Sequence, residues 1–251
     1  MRVGSLLVVM LGHWLMVAVT PDGEISNALK VVPGLQPLTW VLQVMPLFFL
    51  VGGVAHAHSL ESLRSREGST TGRYAAFVRA RTGRLLRPTG AFLVAWLGLG
   101  VVAALAGWTA GSQSRLIVAA LVMVPQLLWF VGIYLGVAAC APMMWRVHQR
   151  WGLWAVLALV AAACLVDLTR FTGGPALVAN LNFAFVWLVP HQLGFCWRDG
   201  LLTRRVGIVL VGLGSAGLAA AVTVGPYPTS MVGLPGDEIS NMAPPTVALM
   251  A

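Results

Sequence analysis

Charged side chains are scarce. They make up 10% of the 251 residues, where a soluble domain carries about 25%. Only eight of them are carboxylates, against 16 Lys and Arg. No polar stretch reaches the ~50 residues of a minimal soluble domain. Cysteine is equally sparse: Cys140, Cys164 and Cys196. The count is odd and the spacings fit no metal site. A disulfide framework is therefore excluded, and the three read as small buried apolar side chains. No internal repeat marks a transporter built from two halves. The net charge of +8 raises nucleic acid as a partner. However, no basic face interleaved with exposed aromatics on a soluble module accompanies it. The arginines fall between apolar runs instead.

Those runs are what the chain has in quantity. The sequence is 58% hydrophobic, with a mean hydropathy of +0.84. The implied fold class is all-α: a polytopic transmembrane bundle of about seven spans, one short helical piece and a truncated last span, read as a single domain over 1–251. A span needs roughly 20 apolar residues. The first, MRVGSLLVVMLGHWLMVAVT, covers 1–20. A signal peptide is disfavoured there, because Ala18-Val19-Thr20 is a poor cleavage site and further spans follow. Residues 21–36 read as a loop by their turn residues. The second span, 37–57, holds Pro46 near its centre, where a kink is expected, and Gly52-Gly53, where another backbone can approach. His56 and His58 end it. At i and i+2 they do not share a helix face, so no metal site is assigned.

The polar stretch 59–88 reads as a basic loop whose second half, YAAFVRARTGRLLRP, can lie at the interface as an amphipathic helix. Pro88 then opens the third span, 89–108. The region 116–144 divides at Pro125 into a short helical piece and the fourth span. Trp145–Trp151 is a basic turn with His148 at the surface. The fifth, sixth and seventh spans cover 152–168, 176–195 and 206–225. A polar loop, 226–245, precedes the truncated start TVALMA. Asp167, Asn180 and Asn182 fall near span ends, as helix caps or interhelical hydrogen bonders. Asp237, Glu238 and Asn241 read as solvated. Trp40, Trp108 and Trp197 read as interfacial anchors.

Arginine placement sets the orientation. With the N-terminus cytoplasmic, the inside positions are Arg2, Arg64, Arg66, Arg73, Arg79, Arg81, Arg84, Arg87, Arg146, Arg150, Arg198, Arg204 and Arg205. Only Lys30, Arg115 and Arg170 fall outside. The positive-inside rule then makes the 59–88 loop cytoplasmic and the 226–245 loop outward, in a multi-pass protein of the cell membrane.

One residue breaks the first run. His13 lies eleven positions after Arg2, roughly 16 Å along a helix, which puts an imidazole about halfway across the bilayer. Ionisable groups at that depth are costly and usually functional. Arg2-x10-His13, the string PLFFLVGG at 46–53 and RLLRP at 84–88 together resemble the membrane-bound acyltransferase family 3. Further strings resemble the branch of that family common in actinobacteria: Trp40-Val41-Leu42-Gln43, PQLLWFVGIYL at 125–135, VWLVPHQLGFCWRDG at 186–200 and SNMAPPT at 240–246. The resemblance covers most of the chain. Two departures stand out. Gly52-Gly53-Val54 replaces the family's Ser-Gly-Phe, and about seven spans stand where the family has about ten. The second departure, with Met1 abutting the first span, leads to the expectation of a truncated chain.

The resemblance implies an O-acyltransferase. It would move an acyl group, often acetyl, from cytoplasmic acyl-CoA to a sugar or glycan hydroxyl, with acyl-CoA as co-substrate and no bound cofactor or metal. It assigns catalysis to His13 and Arg2, and the binding of the donor's phosphates to Arg84 and Arg87. His191, near the cytoplasmic end of the sixth span, is a further candidate for the donor entry. A neutral imidazole titrates near working pH and suits a general base; a transient acyl carrier is the alternative for His13. Guanidinium groups suit phosphates because they bind them bidentately. Two rival functions use the same residues: a transporter or flippase, and a non-catalytic truncated homologue.

Overall fold

The computed structural model describes Gly12, Ala18, Val19 and residues 25–64, 70–110, 114–126, 128–234 and 236–251. Arg2 and His13, and with them most of the expected first span, lie outside the described residues. Among the described residues, six helices are long and apolar enough to cross a membrane: Pro33–Arg64, Thr71–Leu105, Ile117–Trp151, Leu153–Phe171, Ala176–Arg198 and Arg204–Thr223. They correspond one to one to expected spans two to seven. Among the described residues the fold is all-α but for one antiparallel pair of two-residue strands, β1 (Ala18–Val19) and β2 (Ile25–Ser26). Ala18 faces Ser26 and Val19 faces Ile25. Ala18 and Val19, within the expected first span, are thus extended, as suits β-branched Val19 and Ile25.

Several expected boundaries move. The expected loop, 21–36, holds α1 (Ala28–Val31) and a 3-10 turn (Pro33–Leu35), and the expected second span opens with a separate short helix, α2 (Leu38–Val41). Asn27 caps α1 by accepting the Leu29 N–H at 2.9 Å. The break expected at Pro46 comes before it: α3 (Met45–Arg64) starts one residue earlier. Proline is pre-organised for a helix's first turn, where its missing N–H costs nothing, and it disfavours helical backbone just before itself.

The described residues of the basic stretch 59–88 are helical rather than a loop: α3 runs to Arg64, and α4 (Thr70–Leu105) includes the half expected as a helix and passes straight through Pro88. Next come α5 (Ser114–Gln126) and α6 (Trp129–Trp151), with the break just after Pro125 rather than at it. The expected basic turn 145–151 is the last part of α6. α6 and α7 are separated only by Gly152, at φ +52°, a backbone region that glycine enters without strain. α7 (Leu153–Phe171), a 3-10 segment (Ala176–Leu181), α8 (Asn182–Arg198) and α9 (Arg204–Thr223) complete the helices. Thr203 caps α9, accepting from the Val206 N–H.

The chain divides into two compact units, Met1–His58 with Met143–Ala251, and Ser59–Pro142. Within the second unit, Trp96 on α4 donates to the Leu121 carbonyl on α5 at 3.0 Å. Tyr74 donates to the Ala139 carbonyl on α6 at 3.2 Å. Arg81 donates to the Ser59 hydroxyl and lies over the Phe77 ring at 5.5 Å.

The first unit is built around α8. Val186, Trp187, His191, Gln192, Phe195 and Cys196 on it are each at most 1% exposed. The segment after α9 is folded onto this unit rather than solvated. Trp40 donates to the Thr229 carbonyl at 2.7 Å, and the Met231 N–H donates to Thr39 Oγ1 at 2.9 Å. Asn241 is fully buried; its amide donates to the Pro228 and Ser230 carbonyls, and Thr246 donates back to it. TVALMA, expected to open a new span, contains a 3-10 turn (Val247–Leu249).

Asp167 anchors that segment. Its side chain is 1% exposed and accepts from Asn182 at 2.8 Å, from the Tyr227 hydroxyl at 3.1 Å and from the Val247 N–H at 2.8 Å. Burial, then the adjacent Asp167 carboxylate, pushes the Tyr227 phenol above its ordinary pKa. Replacement of Asp167 by Ala leaves the Tyr227 hydroxyl and the Val247 N–H without their acceptor and Asn182 with its 3.4 Å bond to the Ala163 carbonyl, each stranded donor costing about 1–3 kcal/mol when it stays buried. A loss of roughly 3 kcal/mol or more is expected in the unfolding of the detergent-solubilised chain. Faster proteolytic cleavage within 226–250 should accompany it; unchanged cleavage would mean that the segment docks without this carboxylate.

Candidate functional site

The most distinctive chemistry in the described residues lies where α3 meets α8. Each helix presents an aromatic ring, then contributes a histidine and a glycine to the same face. On α3 these are Phe49, His56 and Gly53; on α8 they are Trp187, His191 and Gly194. In both, the positions are i, i+4 and i+7, which a helix stacks on one side. The Phe49 and Trp187 rings stack at 4.8 Å. The glycines let the backbones touch. A Cβ on Gly53 would overlap the His191 carbonyl oxygen, and one on Gly194 would overlap the Leu50 carbonyl and lie 2.9 Å from the Gly53 Cα. Phe49 meets Trp187 while Gly53 meets Gly194, so the two helices run in the same direction.

This close approach brings His56 Nδ1 to 2.9 Å from His191 Nε2. Both rings are fully buried. One of the two nitrogens must carry the hydrogen and the other accept it. His191 Nδ1, on the far side of its ring, has no hydrogen-bond partner among the described residues; nor have the two amide atoms of Gln192. A hydrogen-bonded imidazole pair can hold and pass a proton, and the unpartnered nitrogen gives it a further polar contact to offer. If the pair carries energy, the His56→Phe and His191→Phe single variants should each cost about 1–3 kcal/mol, by stranding the other imidazole. The double variant should cost less than their sum by roughly 0.5–3 kcal/mol. Strict additivity in thermal unfolding would show that the contact is idle.

A second polar cluster ties α6 to the end of α8. His148 is buried, not at the surface as expected. Its Nε2 lies 3.1 Å from Asp199 Oδ2, and its Nδ1 lies 3.9 Å from Cys196 Sγ. Asp199 also accepts from Arg198 at 2.8 Å. Partial burial opposes ionisation of the Asp199 carboxyl, but the bonds from Arg198 and His148 outweigh it and hold the carboxyl below its ordinary pKa. Cys196 is buried as expected, whereas Cys140 is half-buried and Cys164 exposed. Among the described residues, no group of three or more His, Cys, Asp or Glu side chains could hold a metal ion.

Of the residues singled out in the sequence, Arg84 and Arg87 are exposed on α4, roughly one turn apart on one side. His191 belongs to the other unit and is wholly enclosed against His56. His56 is the residue that sequence reasoning set aside, because His56-x-His58 was tested only as a metal pair. A usable signal was present: glycine and histidine three apart in an apolar run, once in each of two spans, mark a close helix contact with a polar group inside it.

Long apolar helices that enclose histidines, a carboxylate and amides define the class: a multi-pass membrane protein with a polar interior. The family model described as an acyltransferase domain matches residues 1–251. The chain therefore belongs to acyltransferase family 3, and is a membrane acyltransferase by family. Searches of curated proteins and of solved structures returned no match.

Proposed function

We propose that this chain is an O-acyltransferase of the cell membrane, with its N-terminus cytoplasmic, which transfers an acyl group, acetyl in the first instance, from cytoplasmic acyl-CoA to a hydroxyl of a sugar or cell-surface glycan. The observation that carries this reading is the family match over residues 1–251; Arg2-x10-His13 and Arg84-x2-Arg87 are the sequence strings that resemble the family's motifs. In the reaction, the acceptor oxygen attacks the thioester carbonyl carbon, forming the ester bond as the carbon–sulfur bond breaks. The hydroxyl proton passes to His13 and from it to the departing CoA sulfur. In the alternative course, His13 first takes the acyl group on a ring nitrogen and then hands it to the acceptor. Arg2 is assigned to the same catalytic centre. Arg84 and Arg87 hold phosphates of the donor, which is supported by their exposure and their shared helix side. His191 contributes to the donor's entry.

The test is transfer of label from acetyl-CoA into the carbohydrate fraction of membranes that contain the chain. Label in that fraction, absent without the chain, supports the reading. Its absence with a competent acceptor preparation would return the chain to the transporter or non-catalytic readings. Arg84→Ala should raise the apparent KM for acyl-CoA by roughly tenfold, since a charge-assisted hydrogen bond contributes about 1.5–3 kcal/mol. An unchanged KM would assign Arg84 to membrane topology alone.

A further inference from the structure

A groove of about 520 Å³ opens along the first unit between the end of α6 and the length of α7. Its two ends differ in chemistry. At one end stand Arg146 and Arg150, one turn apart on α6, both exposed and with no carboxylate partner among the described residues. Trp151 shares this rim and is 53% exposed. From there the wall descends α7 through Ala155, Ala158 and Ala162, on one helix side by their spacing of three and four residues. Alanines leave a furrow where larger side chains would fill it. Positions 155 to 162 span roughly 10 Å of helix axis, all of it apolar. A second groove, which shares Arg150, Trp151 and Ala158, adjoins the rim and adds Trp154.

Two fixed cations and exposed indoles above a narrow apolar furrow match one ligand chemistry. We infer that this groove binds an anionic phospholipid, with the phosphate at Arg146 and Arg150, the tryptophans at headgroup level and one acyl chain laid along the alanines of α7. Guanidinium pairs select phosphate, indoles settle at the membrane interface, and basic pockets between spanning helices hold anionic headgroups. The groove is lined by residues of the first unit alone, whereas Arg84 and Arg87 belong to the other, and its occupant is a component of the bilayer rather than a reactant.

The full chain, purified in detergent, is titrated with phosphatidylglycerol, phosphatidylcholine, glycerol phosphate or acetyl-CoA, and thermal stability and lipid retention in native mass spectra are followed. Phosphatidylglycerol should raise the unfolding midpoint and stay bound, and the other three should do neither at the same concentration. The Arg146→Gln/Arg150→Gln double variant, altered only at exposed positions, should bind it roughly thirtyfold more weakly. Ala158→Trp, which fills the furrow and keeps both charges, should also lose retention. Equal response to phosphatidylcholine would overturn the inference, as would a midpoint shift by glycerol phosphate alone. Displacement of the lipid by acetyl-CoA would make the groove a donor site and overturn it equally. Undiminished retention by both variants would place the lipid elsewhere.

Discussion

Gly194→Ala is expected to destabilise the folded chain by about 3 kcal/mol or more, at or beyond the upper end of the cost of an overpacked site. The new methyl group has nowhere to go. It would overlap the Leu50 carbonyl oxygen and crowd the Gly53 Cα and the Val54 nitrogen, each at 2.9 Å. All three are backbone atoms, so no side-chain rotation relieves the clash and the helices must separate. Separation breaks the Phe49–Trp187 stack and draws His56 from His191, so the loss exceeds that of one contact. Gly53→Ala should behave alike, since its Cβ would overlap the His191 carbonyl. Gly207→Ala is the control. Nothing lies within 4 Å of a Cβ there, and alanine is favoured over glycine in a helix by about 0.5–1 kcal/mol. Thermal unfolding of the three variants in one detergent decides the matter. A wild-type midpoint for Gly194→Ala would mean that the helices do not cross this closely.

His13→Ala is expected to lower acyl transfer by about 10²–10⁴-fold, the usual contribution of a general base, in protein that reaches the membrane in normal amounts. The apparent KM for acyl-CoA should change little, because the donor's phosphates are assigned to the arginines. The split matters: a fall in kcat at constant KM is the mark of an interaction made only in the transition state. A parallel measurement separates the two roles for His13. Donor supplied without acceptor should leave acyl label on the wild-type chain if His13 is a carrier, and none if it is a base. Wild-type turnover by His13→Ala would remove His13 from the chemistry.

The parts of the fold that the sequence makes legible are those set by local composition. Expected spans two to seven each have a helix in the structure, since a long apolar run in lipid has to satisfy its own backbone hydrogen bonds. Gly52-Gly53 marks a close approach, and Gly53 makes one. Boundaries are less legible. Pro88 reads as a helix start, yet α4 runs through it; proline interrupts only one backbone bond, and spanning helices tolerate that loss. Residues 145–151 read as a turn because they are basic, but arginines at a helix end stay helical while their heads reach water. Polarity likewise suggested that Asn241 and His148 are solvated. Each is buried because tertiary partners satisfy it: Thr246 and two carbonyls for Asn241, Asp199 for His148.

The sequence by itself determined the class of this protein and, among the described residues, the placement of six helices long enough to span a membrane, and it proposes Arg2, His13, Arg84 and Arg87 as site residues. These rest on run length, charge scarcity and spacing, all of which are local along the chain. Only the tertiary structure decided that His56 meets His191, that Asp167 gathers Asn182, Tyr227 and Val247, and that 226–250 packs into the first unit. Each of these joins residues far apart in sequence, more than a hundred positions for the two histidines. Such a pairing is fixed by which helix faces can approach, and here two glycines, one on each helix, set that distance.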